Sequence, residues 1–185
     1  MPRAGLSPER VVDEAARIAN REGLDRLTLA AVADSLGVRV PSLYKHVDGL
    51  PALRRAMALR AKHDLVAVLT RATVGRARRD ALEALASAYA DWARTHPAEY
   101  LAAQAPPVPG DETDRRVSAE VTGVVYDVLA GYGAGEVEMV DATRALRAGM
   151  HGFVALDAVG GFALPRPLAA SMEWFLDALD ARLSA

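Results

Sequence analysis

Apolar residues recur at spacings of three and four along nearly the whole chain, the period of helices that bury one face. Val11, Ala15, Ile18 and Ala19 form the first such stripe. Ser7-Pro8-Glu9 precedes it with helix-start chemistry. Ser7 can cap, Pro8 suits the first helical position, and Glu9 meets the positive helix end. Gly23 stops this helix, and Leu24 and Leu27 pack the link that follows. Residues 27–47 then predict two short helices around a tight turn. Thr28 can cap the first by accepting a backbone N–H, and Leu29, Val32, Ala33 and Leu36 share its inner face. Gly37 takes the left-handed position that closes the turn, with Val38 tucked beneath it. Pro41 fits the first turn of the second helix, and Leu43 and Val47 aim it inward. Arg39, Ser42, Tyr44, Lys45 and His46 are left pointing outward, and Asp48-Gly49 ends the helix.

The remaining pattern predicts helices only. A long one covers about Pro51 to Ala72, with Leu53, Met57, Leu65, Val68 and Leu69 apolar and Arg54, Arg55, Arg60 and Lys62 in its first half. Val74 to Arg79 is a basic link whose arginines read as solvated surface. Asp80 to Thr95 presents Leu82, Leu85, Ala86, Tyr89, Trp92 and Ala93 as one broad face. His96-Pro97 breaks it, Tyr100 to Gln104 is a short turn or helix, and the proline-rich residues 105–110 are a loop. Asp111 to Tyr132 is helical, with Val117, Val121, Val124, Val125, Val128 and Leu129 inward. Glu136 to about Phe162 is apolar on most sides and carries a stripe of mainly small residues, Ala142, Ala145, Gly149, Gly152, Leu156 and Gly160. A final helix runs from about Leu168 to Leu183. The fold class is all-α: a three-helix head, residues 1–50, and a larger helical body, residues 51–185. Met1 to Leu6 reads as a mobile arm carrying Arg3.

The paired helices of residues 27–47 have the helix-turn-helix pattern, whose second helix enters a major groove of DNA. A plain helical hairpin is the bland alternative. The outward face argues against it, because it holds donors, cations and an aromatic ring but no carboxylate. The candidate DNA-contacting set is Thr28, Arg39, Val40, Pro41, Ser42, Tyr44, Lys45 and His46. Arg39 suits guanine or phosphate, and Lys45 suits phosphate. Tyr44 fits two roles equally, a contact to the sugar-phosphate backbone or a hydroxyl anchoring the hairpin. Thr28 can cap its helix and meet a phosphate at once. Charge distribution agrees. The 185-residue chain has a net charge of −2, yet residues 1–62 hold 11 basic and 7 acidic side chains, and the remainder holds 11 and 17.

Composition narrows the alternatives. There are no cysteines, so neither disulfides nor thiolate chemistry arises. The four histidines, His46, His63, His96 and His151, show no metal-ligand spacing. Gly131-Tyr132-Gly133-Ala134-Gly135 follows no strand and precedes no Lys-Ser/Thr pair, so it is not a phosphate loop. An enzyme, a metal and a cofactor are therefore not expected. No apolar run is long enough for a bilayer, and residues 1–6 lack a signal-type apolar stretch, so the expected location is the cytoplasm.

Thr28, Ala30, Val32, Ala33, Leu36-Gly37-Val38, Pro41, Leu43-Tyr44 and His46-Val47 closely resemble the DNA-binding domain of tetracycline-repressor-like (TetR family) regulators, from about Ser7 to Leu59. The resemblance implies a homodimer on a palindromic double-stranded operator, controlled by a small molecule bound in the body. In the family a basic residue commonly opens the long helix after the recognition helix and grips a phosphate. Leu50 stands there in this chain, with Arg54 or Arg55 as substitutes. Trp92 with Thr95-His96-Pro97 and Tyr100, then Arg147, His151-Gly152-Phe153 and Gly160-Gly161-Phe162, is similar to the TetR ligand domain named for a Trp-His-Gly motif. Met150 replaces the Trp of that triplet.

The expected ligand-binding set is Tyr89, Trp92, Tyr100, Gln104, Tyr126, Met139, Met150, His151 and Phe153. Each taken singly also reads as ordinary core, His151 included. Together they suit a mainly apolar pocket with one or two polar anchors, hence a small hydrophobic effector. The surplus apolar surface of the last two long helices points to pairing with a second copy. The rival reading is a helical small-molecule binding protein that has lost DNA binding.

Overall fold

The computed structural model describes residues 5–185, so Arg3 of the expected arm lies outside the described residues. The described residues form nine α-helices and one 3-10 turn, with no strand. The chain divides into two compact units. Among the described residues, one comprises 5–62 and 96–107, the other 63–95 and 108–185.

In the first unit, α1 spans Pro8–Glu22, capped by Ser7 Oγ accepting from Arg10 N–H at 3.3 Å. Gly23, at φ +94, ends it. The 3-10 turn is Leu24–Arg26, and α2 spans Leu29–Leu36, capped by Thr28 Oγ1 accepting from Ala31 N–H at 3.1 Å. Gly37 closes α2 at φ +67, where a side chain would be strained. α3 spans only Val40–Leu43. Val11, Ala15, Ile18, Leu27, Val32, Ala33, Leu43 and Val47 share one core with Leu53 and Met57 of α4, which spans Gly49–Thr73. At ~25 cal/mol per Å² of buried apolar surface, side chains of this size contribute roughly 1.5–3 kcal/mol each. That burial outweighs the 0.5–1 kcal/mol or so supplied by a single cap.

α6, Pro97–Ala103, belongs to this first unit and packs on α1. Ala98 joins the head core. Glu99 is buried and accepts hydrogen bonds from Arg60 at 2.9 Å and from Asn20 at 3.0 Å. Asn20 also accepts from the Ala98 N–H at 2.9 Å. Arg60 pairs additionally with Asp13.

The second unit holds the rest of α4 with α5 (Arg78–Thr95), α7 (Glu112–Ala130), α8 (Glu136–Ala158) and α9 (Leu168–Leu183). α5 packs against α7, α8 and α9, and α8 packs against α7 and α9. α8 stops at Ala158, earlier than its apolar pattern suggested. Gly160 turns the chain at φ +70, and the Gly161 N–H donates to the Leu156 carbonyl at 2.7 Å. Near the α7–α8 turn the Tyr132 hydroxyl donates to Asp180 of α9, with the Arg78 guanidinium 5.0 Å from the ring centre. Burial, then the bond to Asp180, holds the Tyr132 hydroxyl protonated well above its ordinary range. Arg79 adds a 2.8 Å bond to Asp177.

Candidate functional site

The outward side chains of residues 39–46 are held by a stiff local frame. Arg39 occupies the cap of α3 in an extended conformation, and Pro41 lies in its first turn. Helical hydrogen bonding covers four residues only, and Tyr44-Lys45-His46 continue as turn. Bonds from His46 N–H (2.8 Å) and Val47 N–H (2.9 Å) to the Leu43 carbonyl close that turn. The helix is cut short because α4 starts at Gly49, at φ +83, directly after Val47 is buried.

Leu43 and Val47 are buried in the head core, as their spacing required. Arg39, Pro41, Tyr44 and Lys45 are exposed, and Val40, Ser42 and His46 are half-buried. The side chains of Arg39, Tyr44 and Lys45 make no hydrogen bond or ion pair with a described residue. Tyr44 is 58% exposed, so its hydroxyl is not the anchor of the hairpin. Thr28 uses only an acceptor position for its cap. Its hydroxyl proton remains available to a phosphate.

Two contacts join the other elements of the head. Glu14 of α1 accepts from the Arg17 guanidinium, and the Ser35 hydroxyl of α2 donates to the same carboxylate. These bonds, Arg17 first, hold the Glu14 carboxyl below its ordinary range. Arg54, a candidate to replace the missing cation at Leu50, donates instead to the Leu24 carbonyl at 3.1 Å and clamps α4 to the 3-10 turn. Arg55 is exposed.

The residues expected to bind a ligand fall into both units. Tyr100 is buried and Gln104 half-buried at α6, in the first. Tyr89, Trp92, Tyr126, Met139, Met150, His151 and Phe153 lie in the second. Tyr89 and Trp92 of α5 and Met150 of α8 are buried, on helices that pack together. Met139 and His151 are half-buried, and Tyr126 is 38% exposed on α7. Phe153 belongs to an aromatic group, its ring centre 5.9 Å from those of Phe162 and Phe175. A groove of about 480 Å³ runs outside α5, past Ala72, Arg76, Asp80, Glu83, Ala88 and Asp91, and includes none of these aromatics.

Sequence reasoning missed two residues. Glu99 was not singled out, yet its buried carboxylate ties α6 to α1 and α4. Thr143 of α8 drew no notice, yet its hydroxyl oxygen is buried with no hydrogen-bond partner among the described residues. Threonine amid apolar helical positions was the only available signal.

Comparison with known proteins covers both halves. Residues 11–48 match the family described as bacterial regulatory proteins, tetR family, and residues 82–179 match the tetracyclin repressor-like C-terminal domain. The chain is 39% identical to the uncharacterized HTH-type transcriptional regulator Rv0681 of Mycobacterium tuberculosis, across 85% of this chain and 72% of that protein. It is 35% identical to the uncharacterized HTH-type transcriptional regulator YobS of Bacillus subtilis, across 87% and 84%. Its fold matches a protein of unknown function from Rhodococcus sp. RHA1 with a TM-score of 0.84, at 22% identity and full coverage of both chains. It also matches a TetR variant of Acinetobacter baumannii AYE solved in complex with minocycline, with a TM-score of 0.65, 24% identity and coverage of 98% and 99%. An exposed basic recognition helix on a helical body thus has its explanation: the chain belongs to the TetR family and is a DNA-binding transcriptional regulator, not an enzyme.

Proposed function

We propose that the chain is a homodimeric cytoplasmic repressor, released from a near-palindromic operator by a small, largely apolar effector. The observation that carries the DNA part is the exposed set Arg39, Tyr44 and Lys45, without a hydrogen-bond or ion-pair partner among the described residues, on a second helix anchored by buried Leu43 and Val47. Two such helices related by a two-fold axis meet successive major grooves. DNA contact is assigned to residues 1–50, through Thr28 and residues 39–42 and 44–46, and ligand and dimer functions to residues 51–185.

The effector site is placed in the second unit, around Tyr89, Trp92, Met139, Met150 and His151. Buried aromatics supply apolar contact there, and methionines adapt to an incoming shape. The minocycline complex of the Acinetobacter neighbour supports a small organic ligand for this fold. Release requires the effector to bind the DNA-incompetent state more tightly. α4 is the lever, since one unbroken helix supplies residues to both units. Copy pairing is assigned to α8 and α9, where Leu156, Val159, Phe162, Leu164 and Trp174 leave apolar surface exposed.

The test is to sequence DNA fragments selected by the purified protein, then titrate them with apolar compounds while following fluorescence. A near-palindromic consensus, lost as a compound alters Trp92 emission, is expected. A protein that selects no DNA yet binds such compounds is a helical binding module instead.

A further inference from the structure

Thr143 lies within α8, one residue after buried Ala142, three before buried Leu146 and seven before buried Met150. Its Oγ1 is sealed from solvent and has no hydrogen-bond partner among the described residues. That is unusual chemistry for a helix. A threonine hydroxyl there ordinarily donates to the carbonyl four residues back, as Thr95 does to Asp91 at 2.8 Å and Thr73 to Leu69 at 2.9 Å. Thr143 does not bond the Met139 carbonyl in this way. A buried hydroxyl left unmet is a net cost to the fold, and a hydroxyl offers both a donor and an acceptor.

The surroundings suit a ligand that arrives from outside. Met139 and Met150 flank Thr143 along α8 at four and seven residues, unbranched side chains that can move aside. α8 packs on α5, which brings buried Tyr89 and Trp92. The other polar candidates are already engaged: His151 and Gln104 each have interactions of their own.

We infer that Thr143 is the polar anchor of the effector site, and that the effector is a neutral lipophile carrying a carbonyl or hydroxyl group. This rests on the effector site placed above. The Thr143 hydroxyl donates to the carbonyl oxygen, while Met139 and Met150 yield to the apolar remainder.

The probes are methyl nonyl ketone and undecane, equal in length and differing in one carbonyl. Binding is read by Trp fluorescence and by the melting temperature of the full chain. The wild-type protein should prefer the ketone by about five- to tenfold, the value of one neutral hydrogen bond. Thr143→Val should erase the preference, keep the undecane affinity, and melt no lower than wild type without ligand. Thr143→Ser should keep the preference. Equal preference in wild type and Thr143→Val, or a lower melting temperature for Thr143→Val without ligand, overturns the anchor and leaves the effector site standing. If neither probe binds the wild-type protein, the anchor and the apolar site both fall.

Discussion

The buried carboxylate of Glu99 accepts a 2.9 Å hydrogen bond from the guanidinium of Arg60, joining α6 to α4 inside the head unit. Glu99 is only 6% exposed, and its carboxylate oxygens are met by this partner and by Asn20. Removing one member of such a pair strands the other, at a cost of about 3 kcal/mol. Arg60→Met should therefore destabilise the head by about that amount in urea unfolding. A double variant with Glu99→Leu should regain much of the loss, because no buried charge is left unpaired. Additive losses would mean that the two residues do not interact.

Lys45 and Arg39 make a different prediction. Lys45→Ala should weaken binding to all DNA sequences alike and lower the slope of log affinity against log salt by about one unit. Arg39→Ala should in addition relax base preference at one position. Gel-shift titrations over several salt concentrations separate the two. If both changes together leave DNA binding intact, the recognition helix is not the one assigned.

Glu14 gives the head a pH dependence with a definite sign. Its folded carboxyl is held below the usual range by Arg17 and Ser35. The stability it confers is therefore complete above the unfolded carboxylate pKa, about 4.3, and is lost as pH falls through the lower folded value. Glu14→Gln should melt lower than wild type at neutral pH, and the gap should close on acidification below about pH 4. Thermal melts followed by circular dichroism check this. A gap that widens in acid would reverse the assignment.

Much of the head was legible because its signals are local. Ser7 and Thr28 cap where their sequence positions said they would, Gly37 takes the left-handed turn, and Leu43 and Val47 are buried. The outward-facing residues of the second helix followed by subtraction. What was not legible depends on distant partners. Glu99 meets Arg60 and Asn20 from 39 and 79 residues away, and nothing in its neighbours marks a buried carboxylate. For the same reason, membership of α6 in the head could not be read from a two-turn helix after His96-Pro97. The extent of α3 was also hidden, since it is set by where α4 begins rather than by its own residues.

Gly149 shows why the dimer needs a chosen test. The stripe of small residues on α8 suggested close approach by a second copy, but the Gly149 position is filled from within the chain. A Cβ there would collide with the ring of Phe175. Gly149→Glu would disrupt α8 against α9 in each protomer, and monomers so produced would say nothing about the interface. Leu156 and Trp174 are better probes, being 47% and 72% exposed. Burying most of an indole contributes roughly 2 kcal/mol, and two-fold symmetry counts each position twice. Trp174→Glu should thus weaken the dimer by about 4 kcal/mol or more, at least three decades in Kd. Light scattering at micromolar concentration should show monomers for Trp174→Glu and for Leu156→Arg, with the helical circular dichroism of the wild type. A wild-type monomer under the same conditions would remove the dimer from the proposal. Dimers that persist in both variants would move the interface away from this face of α8 and α9.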